Sequence, residues 1–113
     1  MNREETQGMA FQLIGYAGDA FSHFFQAVSE AKAGNYEKAQ QCIAEGRKSM
    51  VEAHNTQNDL LAGEAGGEDM VYSIVMVHAQ DHLTMALLYE RLAQEFVDVY
   101  RELNELKRGC KGG

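Results

Sequence analysis

The chain has no proline among its 113 residues, although ordinary usage of about 5% would give a chain this long about six. That absence disfavours a loop-rich architecture or a sandwich of many short strands and favours long uninterrupted helices. Val, Ile and Thr are also few, while the good helix formers Ala, Glu, Gln and Leu dominate, so the composition points to an all-α class. Cysteine is scarce: Cys42 falls in a helical stretch and Cys110 in a glycine-rich tail, which is no framework for a secreted mini-protein. Reduced thiols and a cytoplasmic setting are expected. Basic residues are outnumbered 10 to 17, a net charge of −7, which argues against a nucleic-acid partner. The one basic cluster, Lys107, Arg108 and Lys111, reads as a helix end and frayed tail. No run of 18 apolar residues occurs, and the N-terminal Met-Asn-Arg-Glu-Glu-Thr-Gln has no apolar segment behind its charges, so neither a membrane span nor a signal peptide is expected.

What is present is amphipathic periodicity in one domain spanning residues 1–113, broken twice by glycine. At Ala33-Gly34-Asn35, Gly34 can close one helix in a left-handed conformation and Asn35 can cap the next. Between Gly63 and Asp69, three glycines in five positions predict a longer loop. The first helix, about Arg3 to Lys32, carries Ala10, Leu13, Ala17, Ala20, Phe24, Val28 and Ala31 on one stripe, widened by Ile14, Phe21 and Phe25. Gly15 and Gly18 inside it suggest close approach of another helix. The second, about Asn35 to Ala62, runs Tyr36, Ala39, Ile43, Gly46, Met50, His54, Gln57, Leu61. His54 and Gln57 suggest a buried polar pair, and His23, among Phe21, Phe24 and Phe25, a packed or half-exposed histidine.

The third helix, about Met70 to Lys107 before a flexible tail over 108–113, has two apolar lines. Ile74, Val77, Asp81, Met85, Leu88, Leu92, Phe96, Val99, Leu103 and Leu106 alternate steps of three and four, as in a coiled-coil seam. Tyr72, Met76, Ala79, Leu83 and Ala86, with Leu87, form the other. A helix apolar on two sides must bury both, and a domain of this size buries only about 65% of its unfolded surface. The expected architecture is a three-helix bundle that self-associates through its third helix.

His78-Ala79-Gln80-Asp81-His82 interrupts that helix with chemistry. His78, Asp81 and His82 share one face. Asp81 sits in the apolar seam with no Lys or Arg within a turn, which is costly unless the carboxylate is paired, hydrogen-bonded, protonated or bound to a cation. Three readings fit the spacing. A satisfied polar layer would set helix register. A metal site would imitate the His-x-x-Glu-His of inverse zincins and suit a metal-dependent hydrolase using His78, Asp81 and His82, with His54 or His23 as a third ligand. A phosphoryl relay would use His78 as nucleophile, because a neutral imidazole is available near pH 7, with Gln80, His82 or a neighbouring chain donating hydrogen bonds to the phosphoryl group.

The stretch Tyr72-Ser73-Ile74-Val75-Met76-Val77-His78-Ala79-Gln80-Asp81-His82-Leu83, with Tyr16-Ala17-Gly18-Asp19-Ala20 and Glu52-Ala53-His54-Asn55-Thr56-Gln57, resembles the enzyme IIA component of the lactose/cellobiose (diacetylchitobiose) class of the bacterial phosphoenolpyruvate-dependent sugar phosphotransferase system. The resemblance implies an up-down-up three-helix subunit in a nine-helix homotrimer. It implies a phosphohistidine at His78, phosphorylated HPr as donor, and a cysteine of the cognate enzyme IIB as acceptor. It places Asp81 at the trimer axis, where its copies would share a divalent cation such as Mg2+, and sets Gln80 and His82 around the active histidine. Val71 and Ala79 depart from the family pattern of proline and glycine, and neither removes a chemical group. A histidine phosphotransfer domain of two-component signalling fits less well, since its usual lysine three residues after the histidine is here Asp81. The sugar expected is a β-linked disaccharide.

Overall fold

The computed structural model describes residues 1–70 and 73–112, with side chains described through Cys110. It consists of α1 (Arg3–Lys32), α2 (Tyr36–Ala65) and α3 (Ile74–Gly112), with no strand among the described residues. The rod measures 66 × 19 × 18 Å. α1 starts at Asn2, whose side chain accepts a 2.8 Å hydrogen bond from the Glu5 amide, an N-cap followed by acidic Glu4 and Glu5 at the positive end of the helix dipole. It ends at Gly34, whose φ of +92° is the left-handed turn expected from the sequence. Asn35 occupies the N-cap position of α2 but makes no cap hydrogen bond; its side chain donates to Glu30 at 3.0 Å instead.

α2 runs beyond its expected end at Ala62 to Ala65, then turns through Gly66 and Gly67, the latter at φ +96°. The Met1 amine reaches Glu68 at 2.6 Å and ties this loop to the start of α1. α3 starts at Ile74, later than the apolar pattern suggests, because Ser73 caps it: its hydroxyl accepts from the Met76 amide at 3.2 Å and its carbonyl from Val77 at 3.1 Å. At the other end α3 passes Lys107 and continues to Gly112, so the tail expected over 108–113 is helical as far as it is described. With no proline to stop it, Gly109 inside this stretch costs the helix only about 1 kcal/mol. Val71 and Tyr72, named in the sequence patterns, lie outside the described residues.

α1 lies between the other two helices and packs along both, while α2 and α3 meet sparingly. Ala10, Leu13, Ala17, Ala20, Phe24, Ala27 and Ala31 of α1 are buried against Ala39, Ile43, Met50, Ala53 and Leu60 of α2 and against Ala79, Leu83, Ala86, Ala93 and Val97 of α3. The abundance of alanine lets the backbones come close. The tightest approach is at Gly46, where a Cβ would run into the Phe24 ring. Such an approach is expected from the sequence at Gly15 and Gly18, but no other helix among the described residues comes within 4 Å of a Cβ built at either.

Candidate functional site

The two apolar lines of α3 part company in the fold. Ala79, Leu83 and Ala86 are buried against the bundle, whereas Ile74, Val77, Met85, Leu88, Leu92, Phe96, Val99, Leu103 and Leu106 are all exposed. The seam is therefore an apolar stripe along α3 with no partner among the described residues of the chain, and Asp81 is exposed within it.

His78 sits on the flank of this stripe. At 3.6 residues per turn, His78, His82 and Tyr89 share one side of α3. That side faces α1, because the Tyr89 ring centroid lies 4.8 Å from that of Phe21. His78 is exposed, and its Nε2 lies 3.0 Å from the Nε2 of half-buried His82, with the rings edge-on. A single proton serves that contact. When His82 donates it, His78 carries its own proton on Nδ1 and keeps a lone pair on Nε2, the tautomer a nucleophile requires.

Gln80 points the other way, toward α2. Its amide forms a reciprocal pair with Gln57, at 2.7 and 2.8 Å, and also lies 3.7 Å from the Met76 sulfur. The sequence pairs Gln57 with His54; the fold pairs it with Gln80 and leaves His54 exposed. The α2 stripe shifts after Met50 from a step of four to a step of three, so Ala53, Thr56 and Leu60 are buried in place of His54 and Leu61. Gln57, Leu60, Met76 and Gln80 line a crevice of about 230 Å³ on this α2 side. His78 does not line it. The histidine therefore stands on an open surface, outside that crevice.

The remaining candidates are not drawn into this site. His23 is half-buried beside Asp19 at 3.5 Å, and Asp19 also accepts from the Ser49 hydroxyl. Burial pushes the Cys42 thiol above its ordinary value, with Glu30 adding to the shift, so it is no activated nucleophile. Cys110 is exposed on the last turns of α3. Among the described residues no three His, Cys, Asp or Glu side chains converge. The hydrolase alternative needs such a cluster at His78, Asp81 and His82, but there the two imidazoles engage each other, so that alternative is not supported. No helix is long and apolar enough to cross a membrane among the described residues.

Comparison with known proteins agrees with this geometry. Residues 8–101 match the family model described as PTS system, Lactose/Cellobiose specific IIA subunit. The lactose-specific EIIA component of Staphylococcus aureus (strain N315) is 44% identical over 101 residues, which is 89% of this chain and 98% of that protein. The crystal structure of the PTS cellobiose-specific enzyme IIA from Bacillus anthracis superposes with a TM-score of 0.88 at 35% identity, covering 93% of this chain and 94% of that one. The IIA(Chitobiose) of the Escherichia coli N,N'-diacetylchitobiose branch, solved in complex with HPr, gives a TM-score of 0.76 at 32% identity, covering 88% and 96% of the two chains. With an outward histidine set away from the crevice of a helical rod and a family match over most of its length, the chain belongs to the lactose/cellobiose-specific IIA family and is a phosphotransferase component of the sugar phosphotransferase system.

Proposed function

We propose that this chain is a cytoplasmic phosphocarrier in which His78 Nε2 accepts a phosphoryl group from phosphorylated HPr and passes it to a cysteine of the cognate enzyme IIB during uptake of a β-linked disaccharide. The observation that carries this reading is the exposed His78, with its Nε2 held 3.0 Å from His82 Nε2. In the first transfer the Nε2 lone pair forms an N–P bond as the N–P bond to the donor imidazole breaks. The electron pair leaves with the donor ring, which gains a proton, and His78 releases its Nδ1 proton. As phosphorus approaches, the His82 N–H turns from the ring nitrogen to a phosphoryl oxygen, so the donor group is already in place. In the second transfer the IIB thiolate forms an S–P bond, the N–P bond breaks, and His78 recovers a proton. The HPr complex of the E. coli relative supports HPr as the donor class.

The carrier works as a homotrimer joined along the exposed stripe of α3, giving nine helices around an axis. That assembly supplies the burial that Leu88, Leu92, Phe96 and their neighbours lack in one chain. It also brings three Asp81 carboxylates to the axis. One carboxylate per chain is a poor site, whereas three converging oxygens suit a hard cation such as Mg2+, one per trimer. Bound there, the cation would neutralise the repulsion between the carboxylates. The direct test incubates the chain with phosphoenolpyruvate, enzyme I and HPr. Acid-labile, alkali-stable label should appear and should discharge when the cognate IIB is added; label that IIB cannot remove would contradict the carrier role.

A further inference from the structure

The last turns of α3 stand clear of the other two helices. Asn104 donates to the Ala31 carbonyl at 3.3 Å and to the Tyr36 hydroxyl at 2.6 Å, so it lies level with the turn between α1 and α2. From there α3 continues to Gly112, an overhang of about 12 Å at 1.5 Å per residue. Leu106, Lys107, Arg108 and Cys110 on it are exposed. Residues 106–113 hold Lys107, Arg108 and Lys111 and no acid, so with the whole chain at −7 the remaining residues carry −10. We propose that this basic overhang, presented by each copy at one end of the assembly, docks the carrier end-on against an anionic lipid surface.

Charge is sorted along the rod. At the far end, where α1 begins and α2 finishes, Glu4, Glu5, Glu64, Glu68 and Asp69 outnumber Arg3 and the amino terminus. At the turn between α1 and α2, Lys32 and Lys38 offset Glu30 and Glu37, and Glu105 at the root of the overhang pairs with Arg101 at 3.5 Å. Beyond that root, Lys107 and Arg108 make no ion pair among the described residues. Exposed charges are screened beyond about 8 Å at physiological ionic strength, which is less than the length of the overhang. A surface touching its tip therefore meets the basic residues and not the acidic body.

This inference rests on the trimer proposed above, which multiplies the effect. With the α3 stripe toward a cyclic axis, all three overhangs project from the same end and gather nine basic residues around that axis. The negative end of each helix dipole, about half a charge, offsets little of this. One basic residue holds an anionic leaflet weakly, and the attraction accumulates with number. A plane reaches all nine at once. A nucleic acid is served less well, because an extended polyanion crossing so small an end soon runs beside a body of −10 per chain. The contact is electrostatic and superficial, since no helix is long and apolar enough to cross a membrane among the described residues. It also suits a carrier: His78 stands about 44 Å from Lys107 along α3, clear of the lipid.

The test is co-sedimentation of the full-length chain with vesicles of phosphatidylcholine alone or of phosphatidylcholine mixed with phosphatidylglycerol. The wild-type trimer should bind the mixed vesicles about tenfold or more tightly than the neutral ones, and added salt should release it. A chain carrying Lys107→Gln, Arg108→Gln and Lys111→Gln should lose that preference while remaining trimeric and accepting phosphate from phosphorylated HPr at the wild-type rate. A wild-type trimer that ignores the mixed vesicles or binds both kinds alike would overturn the proposal alone. So would a triple variant that binds as tightly as wild type, or duplex DNA that displaces the wild-type trimer from the mixed vesicles. A wild-type chain that sediments as a monomer would overturn the trimer and this proposal with it.

Discussion

Leu88 lies midway along the exposed stripe of α3 and is 60% exposed in the single chain. Fully burying a leucine side chain is worth about 1.5–3 kcal/mol, so closing the remaining surface against other copies supplies about 1–2 kcal/mol per subunit and about 3–5 kcal/mol per trimer. Leu88→Ala removes most of that while touching little inside the bundle, since the buried residues of this part of α3 are Leu83, Ala86 and Ala93. Because about 1.4 kcal/mol is a factor of ten, the substitution should raise the trimer dissociation constant by two to four orders of magnitude. Sedimentation equilibrium across a dilution series reads that constant, and circular dichroism at high protein concentration should show unchanged helix content. A variant that stays trimeric at the wild-type dilution limit would refute the stripe as the assembly surface. So would a variant that loses its helices, because Leu88 would then belong to the fold of the single chain.

Asp81→Leu should strengthen the trimer in the presence of chelator, by removing like charges and adding apolar burial at the axis; weaker assembly in sedimentation would count against that placement. Removing one partner of the Gln57–Gln80 pair orphans the other half-buried amide, so Gln57→Leu and Gln80→Leu should each cost about 1–3 kcal/mol in urea denaturation. The double variant should cost clearly less than both together; strict additivity would mean that the two amides do not interact. Gly46→Ala should lower stability by about 1–3 kcal/mol through the forced displacement of Phe24, even against the helix-propensity gain. Gly15→Ala, with open space around it, should instead add up to about 1 kcal/mol; equal melting shifts of the same sign would argue against the Gly46–Phe24 contact.

The three helices and both breaks are legible in the sequence because proline is absent and each helix carries its own apolar period; Gly34 marks its turn through a backbone conformation that belongs to glycine. The division of α3 into an inward and an outward line is legible for the same reason. Contacts between helices are less so. Gly15, Gly18 and Gly46 look alike as isolated helical glycines, and only the position of the Phe24 ring separates the one that must lack a side chain from the others. Likewise His54 and Leu61 continue the α2 stripe by spacing, yet the path of α2 across α1 selects Ala53, Thr56 and Leu60. Gln80 belongs by sequence to the histidine motif, but the turn of α3 carries it to Gln57, nearly opposite His78. The His78–His82 contact, one helical turn apart, needs no tertiary information, which is why the proposed phosphoryl site is the most readable part of the chain.

In the proposed function His78 carries the phosphoryl group. The most direct measurement is the transfer of label from phosphoenolpyruvate, through enzyme I and HPr, to the wild-type chain and to His78→Ala side by side. Wild type should take up acid-labile label and the His78→Ala chain none; label retained by that variant would exclude His78 as the phosphoryl carrier.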